Sequence, residues 1–372
     1  MKRLFIVLNS EKFLISHRLL IAQTAQQQGF DVCIVAPDTG YVDEIYVAGF
    51  KFIEIKFNRS GLNVLKELNC LYSLWKLYKT EKPDIIHHVT IKVCLIGSLA
   101  AKLSGIKSVV NAISGFGYAF SGNSSFILKN LIGVLIKICF KSNTFRFIVQ
   151  NPDDFEQLES FKVAEKRQIA LIKGSGVDLN EFRYTDPNEE DFNCLFPSRM
   201  LYEKGVLDFI EAAKLLREKL NGKVRFLLVG NCDEGNKSVI SRSEIEDLSE
   251  PPYIEYLGFR TDMLHLLKEC NIVVLPSYYR EGLPKALIEA CAIGRPIITT
   301  NLPGCKECLR NDNGFFVSPK SPADVADKVL TLFNEKKLRI SMGKKSRELA
   351  ERDFDVRNVA ARHLQIYKEL SN

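Results

Sequence analysis

Two carboxylates eight residues apart, Glu281 and Glu289 in the run EGLPKALIE, bracket the point where a helix should begin. Ahead of them Ile272 to Leu275 reads as a strand buried on both faces, and Pro276 to Gly282 as a loop. Pro284 falls in the first helical turn, where its missing N–H is not needed, and Gly294 stops the helix before a strand from Pro296 to Thr300. A strand–loop–helix–strand unit presents backbone N–H groups to an anion at the helix start. Carboxylates used as ligands there would repel a phosphate. They suit the acceptance of hydrogen bonds from hydroxyls of a sugar attached to that phosphate. The pattern points to a nucleotide sugar.

Arg199 and Lys204, in FPSRMLYEKG, follow a buried strand ending at Pro197 and open the helix 204–220. Two permanent cations at a strand's C-terminal end suit a diphosphate leaving group, whose negative charge grows as it departs. Arginine offers a bidentate fork and lysine a point charge. Gly230 and Gly258 close the strands Arg225 to Val229 and Ile254 to Leu257 on the same sheet edge. No D-x-D carboxylate pair lies near these loops, so no metal and no resident cofactor is expected, the nucleotide sugar being a co-substrate. The first strand carries no G-x-G-x-x-G after it, which weakens a nicotinamide-dinucleotide reading.

These residues need a scaffold, and the chain alternates strand and helix patterns throughout, the mark of parallel sheets with helices on both faces. In the first half the strands are Leu4–Leu8, Val32–Ala36, Phe52–Phe57, Asp84–His87, Ser108–Ala112 and Phe147–Gln150; Ser16 could cap a helix reaching Gly29. An acidic, aperiodic stretch after Gly174 marks a domain crossing. The expected organisation is α/β with two Rossmann-like domains, 1–170 and 171–350, and a terminal helix, 351–372, crossing back to the first. Two such domains imply a cleft between their sheets.

At 372 residues, 46% hydrophobic and 26% charged, the composition is that of a soluble protein with two ordinary cores. No signal peptide or run of about 20 apolar residues appears, so a cytoplasmic location is expected. Ten scattered cysteines, with only Cys305 and Cys308 as C-x-x-C, read as buried free thiols. Residues 1–150 carry 18 Lys and Arg against 9 Asp and Glu, whereas the remainder is slightly acidic. A basic half suggests an anionic partner; no nucleic-acid motif accompanies it, and oligomeric state is unspecified. In FILKNLIGVLIKICFK, Lys129, Lys137 and Lys141 fall at multiples of four on an apolar helix, a pattern equally consistent with a core helix with one wet edge and with one lying against anionic lipid. The charge of that half favours the membrane. The loop Asn9–Ile15 carries Ser10, and His17 follows it, an ordinary surface histidine or a ligand-facing one. SGFGYAFSGNSS, at 114–125, has the size and aromatic content of a cleft-lining loop.

Taken together, R-x-x-x-x-K-G at 199–205, LVG at 228–230, LGFRTD at 257–262 and E-G-x-P-x-x-x-x-E at 281–289 resemble the GT-B glycosyltransferases of family 4. SHR at 16–18, GFGYAF at 115–120, GSGVD at 174–178 and PGC-x-E at 303–307 resemble the branch that builds bacterial surface glycans, and the likeness covers nearly the whole chain. The resemblance implies metal-independent transfer with retention of configuration, from a UDP-sugar rather than a GDP-sugar. The transferred hexose or N-acetylhexosamine would go to a polyprenyl-diphosphate saccharide at the inner face of the cell membrane, in O-antigen, capsule or lipopolysaccharide synthesis. It implies that Arg199 and Lys204 hold the diphosphate and Glu281 the transferred sugar. Gly230, Gly258, Arg260, Gly282, Leu283 and Glu289 would line the rest of the donor site. Ser10, His17, Gly115 and Phe116 would face the acceptor. One departure stands out: many members place a histidine in the loop after the strand ending near Ala112, where this chain has Ser114, Gly115 and Phe116. That favours the donor's own phosphate as proton acceptor. Two other readings are a non-catalytic sugar-nucleotide-binding subunit of a glycan assembly complex and a sugar-nucleotide epimerase. Neither needs an acceptor, which separates them experimentally.

Overall fold

The computed structural model describes residues 1–57, 63–116, 126–188, 190–220, 222–236, 238–310 and 312–371, with backbone alone for 126–131. In chain order the elements are β1 (Lys2–Val7), α1 (Glu11–His17), α2 (Leu19–Gln27), β2 (Phe30–Ala36), α3 (Val42–Val47), β3 (Lys51–Glu54), α4 (Val64–Glu81), β4 (Ile85–Val89), α5 (Ile91–Ser104), β5 (Val109–Ile113), α6 (Phe126–Phe140), β6 (Arg146–Val149), α7 (Pro152–Ser160) and β7 (Ile169–Leu171). There follow β8 (Phe192–Pro197), α8 (Val206–Leu220), β9 (Val224–Val229), α9 (Arg242–Leu248), β10 (Ile254–Tyr256), α10 (Met263–Glu269), β11 (Ile272–Leu275), α11 (Lys285–Ile293), β12 (Ile297–Thr300), β13 (Gly314–Val317), α12 (Pro322–Asn334), α13 (Lys336–Asp353) and α14 (Val356–Ser371).

The chain forms two compact units, Met1–Gly176 with Val356–Asn372, and Val177–Asp355. The crossing lies six residues beyond the one read at 170, and the returning segment starts at Val356 rather than 351.

The first unit is a seven-stranded parallel sheet in the order β3-β2-β1-β4-β5-β6-β7. Its central strands, β1, β2, β4 and β5, are largely buried on both faces because helices cover both. Where Ser16 was expected to open a helix, it lies inside α1 and its hydroxyl donates to the Lys12 carbonyl at 2.8 Å. The helix is instead broken at Arg18, which is fully buried and turns its Nη1 to within 3.5 Å of His363 Nε2 on α14. His87, in the middle of β4, bonds the Tyr367 hydroxyl through Nδ1 at 2.6 Å. The terminal helix is thereby fixed to the first sheet by polar contacts within an apolar layer. On the other face, His88 is held by Tyr78 and Asn111 at 3.0 Å each, and α5 passes so close that a Cβ at Gly97 would overlap the imidazole.

The second unit is a six-stranded parallel sheet, β10-β9-β8-β11-β12-β13, around a core built from both of its helix layers. Buried Arg295 donates to the carbonyls of Leu267, Lys268 and Thr185, tying α10 and the segment before β8 to the start of β12. The strand β11 and the Gly294 stop, in the left-handed region at φ +83°, lie where the sequence puts them. Pro284 does not: it is the residue capping α11 and not part of its first turn.

Candidate active site

In the second sheet the direction of the connections reverses between β8 and β11. In open α/β sheets that is where a crevice forms beyond the carboxyl ends of the strands. The two loops that fill this position carry Lys204 and Glu281. They are locked together through backbone: Tyr278 N donates to the Glu203 carbonyl at 2.9 Å, and Ser277 Oγ donates to the same oxygen at 3.2 Å. Gly205, at φ +80°, passes so close to Pro276 that a Cβ would stand 2.5 Å from its carbonyl oxygen. From the far side, the turn after β12 supports the Glu281 loop. Thr300 Oγ1 donates to the Ser277 carbonyl at 2.5 Å, and Glu281 N to the Pro303 carbonyl at 3.3 Å.

Lys204 Nζ forms an ion pair with the Glu281 carboxylate, and both side chains are only 12% exposed. Ser277 Oγ donates to Glu281 Oε1 at 3.1 Å, and the Tyr279 ring lies 5.9 Å from the ammonium. Earlier on the loop that carries Lys204, the half-exposed guanidinium of Arg199 donates through Nη1 to Asp233 Oδ2 at 2.7 Å. Gly230 has φ +151° and presses on the Ser198 carbonyl, where no Cβ would fit. Its N–H donates to the Gly258 carbonyl at 2.9 Å, so these two glycines close adjacent strand ends. Arg260 grips Asp262 with its fork at 2.8 and 2.5 Å, holding that carboxyl down to about 2. Gly282 and Leu283 are buried just ahead of α11. Glu289 is buried one turn inside, 3.3 Å from Lys285 Nζ. Burial raises its carboxyl above the ordinary range, Lys285 opposes the shift, and Glu181 adds to it.

Arg199, Lys204 and Glu281 thus stand on neighbouring loops at one sheet edge, with the start of α11 beside them. Each cation already has a carboxylate partner, so a diphosphate would exchange one counter-ion for another instead of meeting bare charge. Among the described residues no three His, Cys, Asp or Glu side chains cluster as a metal site. Cys305 and Cys308 are fully buried thiols whose pKa burial pushes up, Cys305 to about 12, which makes them packing groups and not reactive ones.

In the first unit the reversal falls between β1 and β4. Ser10 lies there but is 3% exposed, and its carbonyl accepts from Phe13 N as α1 begins. His17 is half-buried, stacked on Phe13 at 4.2 Å with Nδ1 2.6 Å from Ser16 Oγ. Gly115 takes φ +97° after β5. Phe116 is 1% exposed and packs against Phe161 in the core. Tyr118 and Phe120 lie outside the described residues, as does the side chain of Lys129. Lys137 and Lys141 are exposed. Beside them Val134, Leu135 and Ile138 turn apolar surface outward, while Lys102 Nζ donates to the Ile138 and Lys141 carbonyls at the helix end.

Two further participants are given no role by the sequence, although Glu11 is a visible member of the Asn9–Ile15 loop. Asp233, the partner of Arg199, had no local signal beyond an acidic residue soon after the Gly230 turn. Glu11 is completely buried, its Oε1 accepting from Thr39 N at 2.5 Å and Thr39 Oγ1 at 2.6 Å. It joins the loops after β1 and β2, a contact 28 residues long in sequence.

Residues 178–349 match the family described as glycosyl transferases group 1, and residues 4–151 match glycosyl transferase 4-like. Over 94% of both chains the protein is 30% identical to the N,N'-diacetylbacillosaminyl-diphospho-undecaprenol alpha-1,3-N-acetylgalactosaminyltransferase of Campylobacter jejuni. It is 25% identical to the UDP-Gal:alpha-D-GlcNAc-diphosphoundecaprenol alpha-1,3-galactosyltransferase of Escherichia coli, over 88% of this chain and 86% of that one. Among solved structures, Anabaena HepE in complex with UDP and glucose superposes with a TM-score of 0.78 at 18% identity, each chain covered in full.

Proposed function

The chain belongs to the GT-B glycosyltransferases, and from that premise we propose that it moves a hexose or N-acetylhexosamine from a UDP-sugar to a polyprenyl-diphosphate saccharide, with retention at the anomeric carbon. The names of the Campylobacter and Escherichia relatives support the lipid-linked acceptor, and the nucleotide in the second supports UDP. The setting would be assembly of a bacterial surface polysaccharide. The observation that carries the reading is the Lys204–Glu281 ion pair at the point where the second sheet's connections reverse, with Arg199 on the same loop as Lys204.

In this reading Glu281 and Glu289 accept hydroxyl hydrogen bonds, from the transferred sugar and the ribose respectively. The bond from the anomeric carbon to the diphosphate breaks, and its electron pair leaves with the phosphate oxygen. Arg199, Lys204 and the N–H groups at the start of α11 stabilise that charge, as fixed donors do when the site reorganises little. The acceptor hydroxyl oxygen bonds to the same face of the carbon, and its proton passes to the departing phosphate oxygen. No general base is required. A divalent cation has no assigned part, because the two cationic side chains occupy its role.

Acceptor delivery at a membrane face rests on the first unit. The exposed Val134, Leu135 and Ile138 beside Lys137 and Lys141 favour contact with anionic lipid. Leu65, Leu68 and Tyr72 on α4 are exposed on one helical face, with Lys66, Lys76 and Lys79 also exposed on that helix. No described helix is long and apolar enough to cross a membrane.

The test is nucleotide release from a panel of UDP- and GDP-sugars, with and without polyprenyl-diphosphate saccharide in vesicles. Acceptor-dependent UDP release and an anomeric configuration unchanged by transfer are expected. Equal release without acceptor, or release from GDP-sugars alone, would overturn the assignment.

A further inference from the structure

The two ion pairs at the donor site are unlike. Lys204 and Glu281 are nearly enclosed, whereas Arg199 and Asp233 are 49% and 35% exposed. A diphosphate arriving from solvent can therefore reach the Arg199 guanidinium, and it must compete there with a carboxylate.

Asp233 is not there by the chance of a loose loop. Residues 231–236 and 238–240 are strapped to the segment carrying Arg199 by backbone hydrogen bonds. Met200 N donates to the Asn231 carbonyl at 3.1 Å, Tyr202 N to Ser238 at 3.0 Å, and Ile240 N to Met200 at 3.0 Å. Leu201 and Val239 form an antiparallel bridge. Within the turn, the Asp233 carbonyl accepts from Asn236 N at 2.8 Å, and Ser238 N donates to Asn236 Oδ1 at 3.0 Å. At its base, Gly230 lies against the Ser198 carbonyl with no room for a Cβ. The backbone thus holds the residue that bears the carboxylate next to the segment that bears the guanidinium.

We propose that Asp233 is a positioning residue with a second effect: it holds Arg199 in place in the empty site and, as a competing counter-ion, weakens the grip on the nucleoside diphosphate product so that it leaves. This rests on the reading that Arg199 contacts the diphosphate. The donor's diphosphate carries two negative charges. The freed nucleoside diphosphate carries about three once its terminal phosphate ionises, near pH 6. A fixed negative charge next to the site therefore opposes product more than donor. An exposed carboxylate does this without a large loss of donor affinity, since such pairs are individually weak.

Calorimetric titration of UDP into the full-length protein tests this, with Asp233→Asn, Asp233→Glu, Arg199→Ala and the Arg199→Ala/Asp233→Asn double variant. Asp233→Asn should bind UDP about two- to five-fold more tightly at about 0.05 M salt, with most of the gain lost at about 0.5 M. In turnover it should lower kcat and KM together, because release is slowed, and Asp233→Glu should restore both. A packing defect would instead weaken UDP. With Arg199 removed, Asp233→Asn should give a smaller gain. Unchanged or weaker UDP binding by Asp233→Asn, with Arg199→Ala weakened, would overturn the role of Asp233 and leave the donor-site reading standing. Unchanged binding by Arg199→Ala would remove both.

Discussion

Gly304 lies against the backbone of Glu281: a Cβ built on it would stand 2.6 Å from the carbonyl oxygens of both Glu281 and Gly282. The PGC turn after β12 is therefore the seat on which the Glu281 loop rests, and its glycine sets the height of that loop. Both neighbours are backbone, so the loop must move if a methyl group is added. Gly304→Ala should lower kcat/KM by about 10²-fold, the cost of misplacing reacting groups by an ångström or so. Gly222→Ala is the control. It carries the same kind of strain at φ +71° with nothing within 4 Å, so it should lose about 1–2 kcal/mol of stability and keep its activity. Equal activity in the two variants would deny the seat its role.

Lys204 and Glu281 should separate stability from catalysis. Removing the ammonium takes the counter-ion from a carboxylate that is only 12% exposed. Lys204→Met should thus lose about 1–3 kcal/mol of stability and about 10²–10³ in kcat. Adding Glu281→Gln should recover much of the stability, because no uncompensated charge remains, and none of the turnover. Chemical denaturation and initial rates on the two variants and the wild type decide it. Recovery of turnover in the double variant would mean that Lys204 serves the carboxylate alone.

Much of this edge was legible in the sequence because its signals are local. An apolar run of four residues, a polar loop and a helix-stopping glycine place Glu281 and Glu289 whatever the rest of the chain does. Four strands of one parallel sheet bring Arg199, Gly230, Gly258 and Glu281 to the same end by topology alone. What was not legible depends on distant partners. The break between α1 and α2 carries no glycine or proline; it falls at Arg18, whose side chain turns inward toward α14, 345 positions away in sequence. Helix α13 was missed because its polar run, KKLRISMGKKSREL, hides Arg339 and Ser346, which are buried. Strand β13 was missed because it has only four residues and two of them are half-buried. Asp233 and the burial of Phe116 belong to the same class.

Glu289 gives a prediction whose sign follows from its raised pKa. Burial keeps its proton on in the folded protein at pH values where the unfolded chain has already released it. The folded state then binds more protons than the unfolded one, so stability from this group falls as pH rises from the ordinary carboxylate value through the folded one. Glu289→Gln should raise the melting temperature above that window and change it little below. If the carboxylate takes the ribose hydroxyls, the same substitution should weaken UDP at neutral pH, and on acidification wild-type affinity should drop further than that of the variant, the protonation of UDP itself being common to both. A melting temperature that gains nothing at pH 8 would contradict the burial argument.

The buried histidines have the opposite sign. Burial lowers His88 to about 4 and His363 to about 3, with Arg18 adding to the shift at His363, and His87 lies well below its ordinary value. His363 Nδ1 donates to the Val359 carbonyl at 2.8 Å, which leaves Nε2 without a proton to accept from Arg18. The unfolded chain takes up protons below about pH 6.5, while the folded one refuses them until about 3–4. Stability is therefore full above pH 6.5 and is lost as pH falls, by up to about 1.4 kcal/mol per pH unit for each histidine. His363→Gln keeps an acceptor for Arg18 and cannot titrate, so its stability should fall less steeply between pH 6.5 and 4.5. Denaturant titrations across that range measure the slope. A variant slope equal to that of the wild type would show that protonation of His363 is not what loosens α14 from the first sheet.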